Sequence, residues 1–167
     1  MPFIDDLAFV LAFLTSIACG LMGGLFFAFS NFVMRALELI APEAGIAAMQ
    51  AINRTVLNRI FLSTFLGTTA ACALLMLYAF LHWEVSGTFF LLIGSLLYLV
   101  GNVGVTLVCN VPRNNALARL DAGSLESLAY WRIYLEQWTH WNHVRTGTAL
   151  GASMLLMIGL FMMLTMV

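Results

Sequence analysis

Residues 7–34 read LAFVLAFLTSIACGLMGGLFFAFSNFVM, with no charged side chain among them. A helix crossing the hydrocarbon of a bilayer needs about 20 such residues. Three more charge-free runs meet that length: Ile60–Leu81, Val85–Val111 and Thr146–Val167. The chain is 62% hydrophobic and 9% charged. Soluble domains carry about 25% charged residues, so this chain lacks the polar surface that water requires. The expected fold is all-α: an integral membrane four-helix bundle with amphipathic helical loops on one side. One membrane domain over 1–167 is expected, with spans at about 7–34, 60–81, 87–109 and 144–167. The first run follows Asp5 and Asp6 rather than a basic segment and is too long for a cleaved leader, so it reads as a retained helix.

All seven basic residues are arginines: Arg35, Arg54, Arg59, Arg113, Arg119, Arg132 and Arg145. With four spans, every one falls in the first or third loop or at an adjoining helix end. The N-terminus and the short second loop (His82, Trp83, Glu84) have none. The bias of arginine toward the cytoplasm then predicts an inner-membrane, multi-pass protein with both termini outside and two long cytoplasmic loops. The acidic residues Glu38, Glu43, Asp121, Glu126 and Glu136 share that side, so no basic cluster of the kind nucleic acid demands is formed. Membrane lipids and a lipophilic small molecule are the expected partners. Cys19, Cys72 and Cys109 lie within spans and read as small packing residues.

Local signals organise the loops. Pro42 and Glu43 suit the first turn of a helix leading to span two, with Gln50, Arg54 and Asn58 on one face. Pro112 is expected to end span three. Ser124 is a candidate N-cap for a helix from Leu125 whose continuity with span four is open. In span one Ser16, Gly20, Gly24 and Ala28 form a small-residue stripe, continued by Asn31 and Arg35, that is expected to face the bundle. Such stripes serve intrachain packing or a homo-oligomer equally well.

Polar residues from all four spans converge on one depth at the arginine-bearing end. The candidate ligand-binding set is Asn53, Asn58, Asn102, Asn110, Arg113, Asn114, Trp138, Trp141 and Asn142. Such groups near hydrocarbon are costly and mark a site or a water-filled cavity. Arginines also snorkel to headgroups, and asparagines also glue membrane helices together. Trp131, Tyr134, Trp138 and Trp141 make one stripe, read as an interfacial belt or, for Trp138 and Trp141, as a wall for a flat ligand. His143, Gly147 and Gly151 are spaced by four, which is expected to turn His143 into the bundle as a proton acceptor. Arg145 and Arg54 join it as candidate catalytic residues. His140 and His143 alone make a poor metal site, and no dinucleotide, phosphate-loop or serine-nucleophile motif occurs, so no metal or cofactor is expected.

Four segments carry a family resemblance: Gly24–Ser30 (GLFFAFS), Met49–Arg54 (MQAINR), Asn110–Asn115 (NVPRNN) and Trp138–Thr146 (WTHWNHVRT). With these the chain resembles the anthrone oxygenase-like family of small four-helix membrane proteins. The resemblance implies oxidation of an anthrone-type or quinone-type lipophile by molecular oxygen without metal or flavin. That chemistry needs a base, for which His143 is the candidate, and donors for the developing oxyanion, for which Arg54, Arg113 and Arg145 with Asn53, Asn110 and Asn142 are the candidates. A different class is kept beside it: a non-enzymatic membrane module holding a lipid, a small anion or a partner helix.

Overall fold

The computed structural model describes residues 2–165, so the last two positions of the fourth expected span lie outside the described residues. Helix α1 (Pro2–Ala28) passes through a wide π-helical turn at Phe29–Val33 into α2 (Met34–Leu39). Helix α3 (Pro42–Thr55) leads to α4 (Arg59–Leu81). Helix α5 (Thr88–Tyr98) continues through π-helical stretches at Leu99–Gly104 and Thr106–Asn110 into α6 (Val111–Ala118). Helix α7 (Leu125–Thr165) is unbroken. Among the described residues, four helices are long and apolar enough to cross a membrane: Ile4–Leu39, Arg59–Leu81, Thr88–Ala118 and Leu125–Thr165. The protein is an all-α membrane bundle.

Local chemistry sets the helix starts. Pro42 opens α3, where its missing N–H leaves nothing unpaired, and Glu43 sits in the first turn. Asn58 caps α4 by accepting from Phe61 N–H at 3.0 Å. Ser124 accepts from Ser127 N–H at 3.1 Å ahead of α7. Pro112 does not end its helix, contrary to expectation. It lies at the start of α6, just after a turn in which Val111 N–H reaches back five residues to the Thr106 carbonyl. A wide turn makes room for the proline ring, which in a regular helix would clash with the carbonyl four residues earlier.

Helix α7 settles the open question of continuity. At about 1.5 Å per residue its 41 residues reach roughly 60 Å, near twice the ~30 Å thickness of bilayer hydrocarbon. Two cores pack along it. One gathers Cys19, Met22, Phe65, Leu75, Tyr98 and Leu156 between the spans. The other gathers Met34, Ile46, Met49, Leu117, Trp131 and Tyr134 at the arginine-bearing end.

The small-residue stripe of α1 is only partly right. Ser16 touches α7 through Met157, and Gly20 lies against Ser153. Gly24, Asn31 and Arg35 are exposed, and open space surrounds Gly24. Gly23 makes the close approach instead, where an added Cβ would stand 2.7 Å from Leu150 Cδ2. Gly87 and Gly159 pack backbone to backbone. Gly87 has φ +90°, and a Cβ there would strike the Gly159 carbonyl. Both the left-handed backbone and the collision oppose a side chain. Gly87→Ala is expected to cost about 2 kcal/mol or more, read as a lowered melting temperature in detergent.

Candidate functional site

The inner face of α7 is the run Trp131, Tyr134, Trp138, Asn142, Arg145, Ala149, Ala152 and Leu156, all buried. Their steps of three and four keep them on one side of the helix. Arg145 is therefore carried into the bundle and is only 6% exposed. Its guanidinium Cζ lies 4.3 Å from the Phe26 ring centroid and 5.1 Å from that of Trp138. One terminal nitrogen donates to Asn142 Oδ1 at 2.6 Å, and the other to Thr106 Oγ1 at 3.4 Å. Its Nε has no partner. Among the described residues no carboxylate comes within ion-pairing distance of it. Aromatic faces return about 2 kcal/mol or more to a desolvated cation, less than the several kcal/mol per ion that desolvation costs. The site thus holds a positive charge that the protein itself does not neutralise.

Every asparagine of the candidate set near Arg145 is anchored. Asn142 donates to the Phe26 carbonyl at 2.7 Å and to Ser30 Oγ at 2.8 Å. Asn102 donates to the Arg145 carbonyl and Asn110 to the Trp138 carbonyl, each at 3.3 Å. These bonds tie span three to α7 and leave Asn102 Oδ1 and Asn110 Oδ1 without partners. Asn114 Oδ1 accepts from both Tyr134 OH and Trp138 Nε1 at 2.8 Å. Asn53 donates to Tyr134 OH at 3.4 Å. The three π-helical turns lie at this same level and supply Ser30, Asn102, Thr106 and Asn110. Wide turns of this kind recur where a helix must aim side chains at a site.

A chamber of about 100 Å³ opens beside the guanidinium. Its walls are mostly apolar, with Phe26, Phe29, Ile52 and Trp138 prominent, and its polar groups are Asn53, Thr106, Asn114 and Arg145. Trp131, Tyr134 and Trp138 stack in sequence, with centroids 5.5 and 6.2 Å apart. They are buried, so this part of the stripe is no interfacial belt: Trp138 lines the chamber and the others brace it.

Other candidates stand elsewhere. Arg54 is exposed, and Asn58 is occupied as the α4 cap. Arg113 is held by Gln137 Oε1 at 2.9 Å and the Cys109 carbonyl at 2.6 Å. Trp141 is half-buried and sets its ring edge-on to His140.

His143 does not turn into the bundle, contrary to expectation. It is exposed, and with His140, Arg132 and Glu136 it lines an open groove of about 610 Å³ between α2 and α7. Two positions before Arg145 on a helix means nearly the opposite face. Gly147, whose spacing predicts a packing face, has open space around it. The groove is larger than the chamber, but Arg35 there is already paired with Glu38 at 2.5 Å. The chamber, with its unmatched buried charge, is the stronger site. Phe26, Phe29, Ser30 and Tyr134 are site residues that sequence reasoning left out. Phe26, Phe29 and Ser30 do fall within the GLFFAFS segment.

A family model described as anthrone oxygenase matches residues 54–155. That stretch carries Thr106, Asn114, Trp138, Asn142 and Arg145, while Phe26 and Asn53 lie before it. No curated protein and no solved structure matches the chain.

Proposed function

The chain belongs to the anthrone oxygenase family, and on that premise we propose that it oxidises an acidic aromatic lipophile with molecular oxygen at Arg145. The carrying observation is the buried guanidinium with no counter-ion and an apolar chamber at its side. An anthrone has an acidic methylene across the central ring from its carbonyl, conjugated to it through the flanking aryl rings. Loss of that proton puts negative charge on the oxygen, and a guanidinium in a water-poor pocket stabilises that charge. The carbanion then gives its electrons to oxygen and forms a C–O bond. Loss of water from the resulting peroxide leaves the quinone. One oxygen atom ends in the product and the other in water.

In this reading Arg145 acts on acidity and charge, and Asn142 and Thr106 aim it. Trp138 and Phe26 form flat walls. Among the described residues the chamber has no carboxylate and no imidazole in its lining, so the proton passes to solvent or to the ligand's own ionised phenol. His143 faces away and is not needed. The spacing of His143 with Gly147 and Gly151 makes it the candidate base on sequence alone. His143→Ala is expected to keep turnover within about threefold of wild type, a change worth less than ~1 kcal/mol. Oxygen uptake with dithranol, corrected for the uncatalysed rate, measures this. Loss of uptake in that variant would restore the base role.

The same cation without a base also fits a protein that only holds an anionic amphiphile. That second reading expects dithranol or its quinone to bind with no oxygen consumed. The arginine distribution supports both long loops facing the cytoplasm. Labelling of cysteines introduced at Gly123 and Glu84 from either side of sealed vesicles tests that orientation.

A further inference from the structure

A second depression, of about 370 Å³, lies beside the chamber between α1 and the start of α4. Leu25, Val56 and Phe61 line both hollows. One wall of three apolar side chains therefore separates them. The outer lip includes Leu21 and Ile60, 64% and 80% exposed, on two helices of membrane-spanning length. In a bilayer such side chains meet hydrocarbon, so this depression opens to lipid. Its polar groups are occupied: Thr64 Oγ1 donates to the Ile60 carbonyl at 2.8 Å, and Asn58 caps α4. It makes no polar demand on whatever fills it.

Size bears on the occupant. Pockets for drug-sized ligands run to roughly 300–1,000 Å³. The chamber alone, at about 100 Å³, falls short, whereas chamber and depression together reach that range. Val56 is carried on the connection between Thr55 and Arg59, so no helix has to unwind for this part of the wall to shift. Charge complementarity fixes the inner end, because the buried cation there takes a negatively charged group.

We infer that the ligand enters sideways from the bilayer through the α1–α4 cleft, across Leu25, Val56 and Phe61. It is an amphiphile whose acidic aromatic head sits at Arg145 and whose apolar part lies in the cleft when bound. This rests on Arg145 being the oxyanion site.

The test uses the full chain in nanodiscs, with 1,8-dihydroxyanthraquinone delivered in the lipid. Ionisation of a phenol on that ring red-shifts its visible band, which reports the head at the guanidinium. Leu21→Trp and Thr64→Trp fill the depression without touching the chamber lining. They are expected to slow the appearance of the shifted band tenfold or more and to weaken binding. Ile133→Trp, on a distant exposed face, leaves both unchanged. Arg145→Gln abolishes the shift. Wild-type rate and affinity in both cleft variants, with Arg145→Gln still abolishing the shift, would overturn the lateral route and keep the oxyanion site. No shifted band in the wild type, or a shift that survives Arg145→Gln, would overturn the oxyanion site and the route with it.

Discussion

Arg145→Gln is expected to lower oxygen uptake on dithranol by about 10²–10³-fold, the loss seen when one oxyanion donor is removed, with no loss of thermal stability. The two halves of this result belong together. A buried ion pair broken by removing one partner destabilises a protein by about 3–5 kcal/mol. Among the described residues Arg145 has no such partner, and glutamine keeps a donor for Asn142 Oδ1 while removing an uncompensated charge. Activity and stability should therefore separate. A variant that melts far below wild type would mark Arg145 as a structural arginine. Arg145→Lys should recover only part of the rate. A lysine places one point charge where the guanidinium reaches Asn142 and Thr106 at once and lies between Phe26 and Trp138.

Thr106→Asp should be nearly as damaging to turnover for the opposite reason. Thr106 Oγ1 is 3.4 Å from the guanidinium and lines the chamber. A carboxylate there supplies the missing counter-ion from within the chain. Binding of an anionic ligand should weaken by about 100-fold or more, an energy of roughly 3 kcal/mol, while the melting temperature holds or rises. Adding Arg145→Gln to this variant leaves the new carboxylate half-buried and unpaired, and is expected to lower the melting temperature. A double-mutant cycle on melting and on affinity separates charge from shape. Full affinity for the anion in Thr106→Asp would remove the guanidinium from the binding site.

The spans were legible because hydropathy and length alone decide them, and the starts of α3 and α7 were legible because Pro42, Glu43 and Ser124 act locally. The level of the site was legible too, since asparagines and arginines from four spans converge there. Which side chains look inward was not. In a span apolar on every face, periodicity carries little information, and glycine spacing was used in its place. Gly24 and Gly147 turned out to border open space, so the stripes built on them sent Asn31, Arg35 and His143 inward wrongly. The usable signal was the run from Trp138 through Asn142 and Arg145 to Ala149 and Ala152, which mixes large, polar and small residues at one spacing. The burial of Trp131 and Tyr134 depended on α2, α3 and α6 folding over them. No local pattern reports such a long-range contact.

Helix α7 has one more consequence, for the order in which the site is made. Trp138, Asn142 and Arg145 lie on a single uninterrupted shaft, so their mutual angles are set by hydrogen bonds between near neighbours in the chain. Helix growth takes nanoseconds per residue, long before distant segments meet. The centre of the chamber is thus laid out by α7 itself, with no contact to another span needed to set it. The other spans then close around a template instead of jointly inventing one.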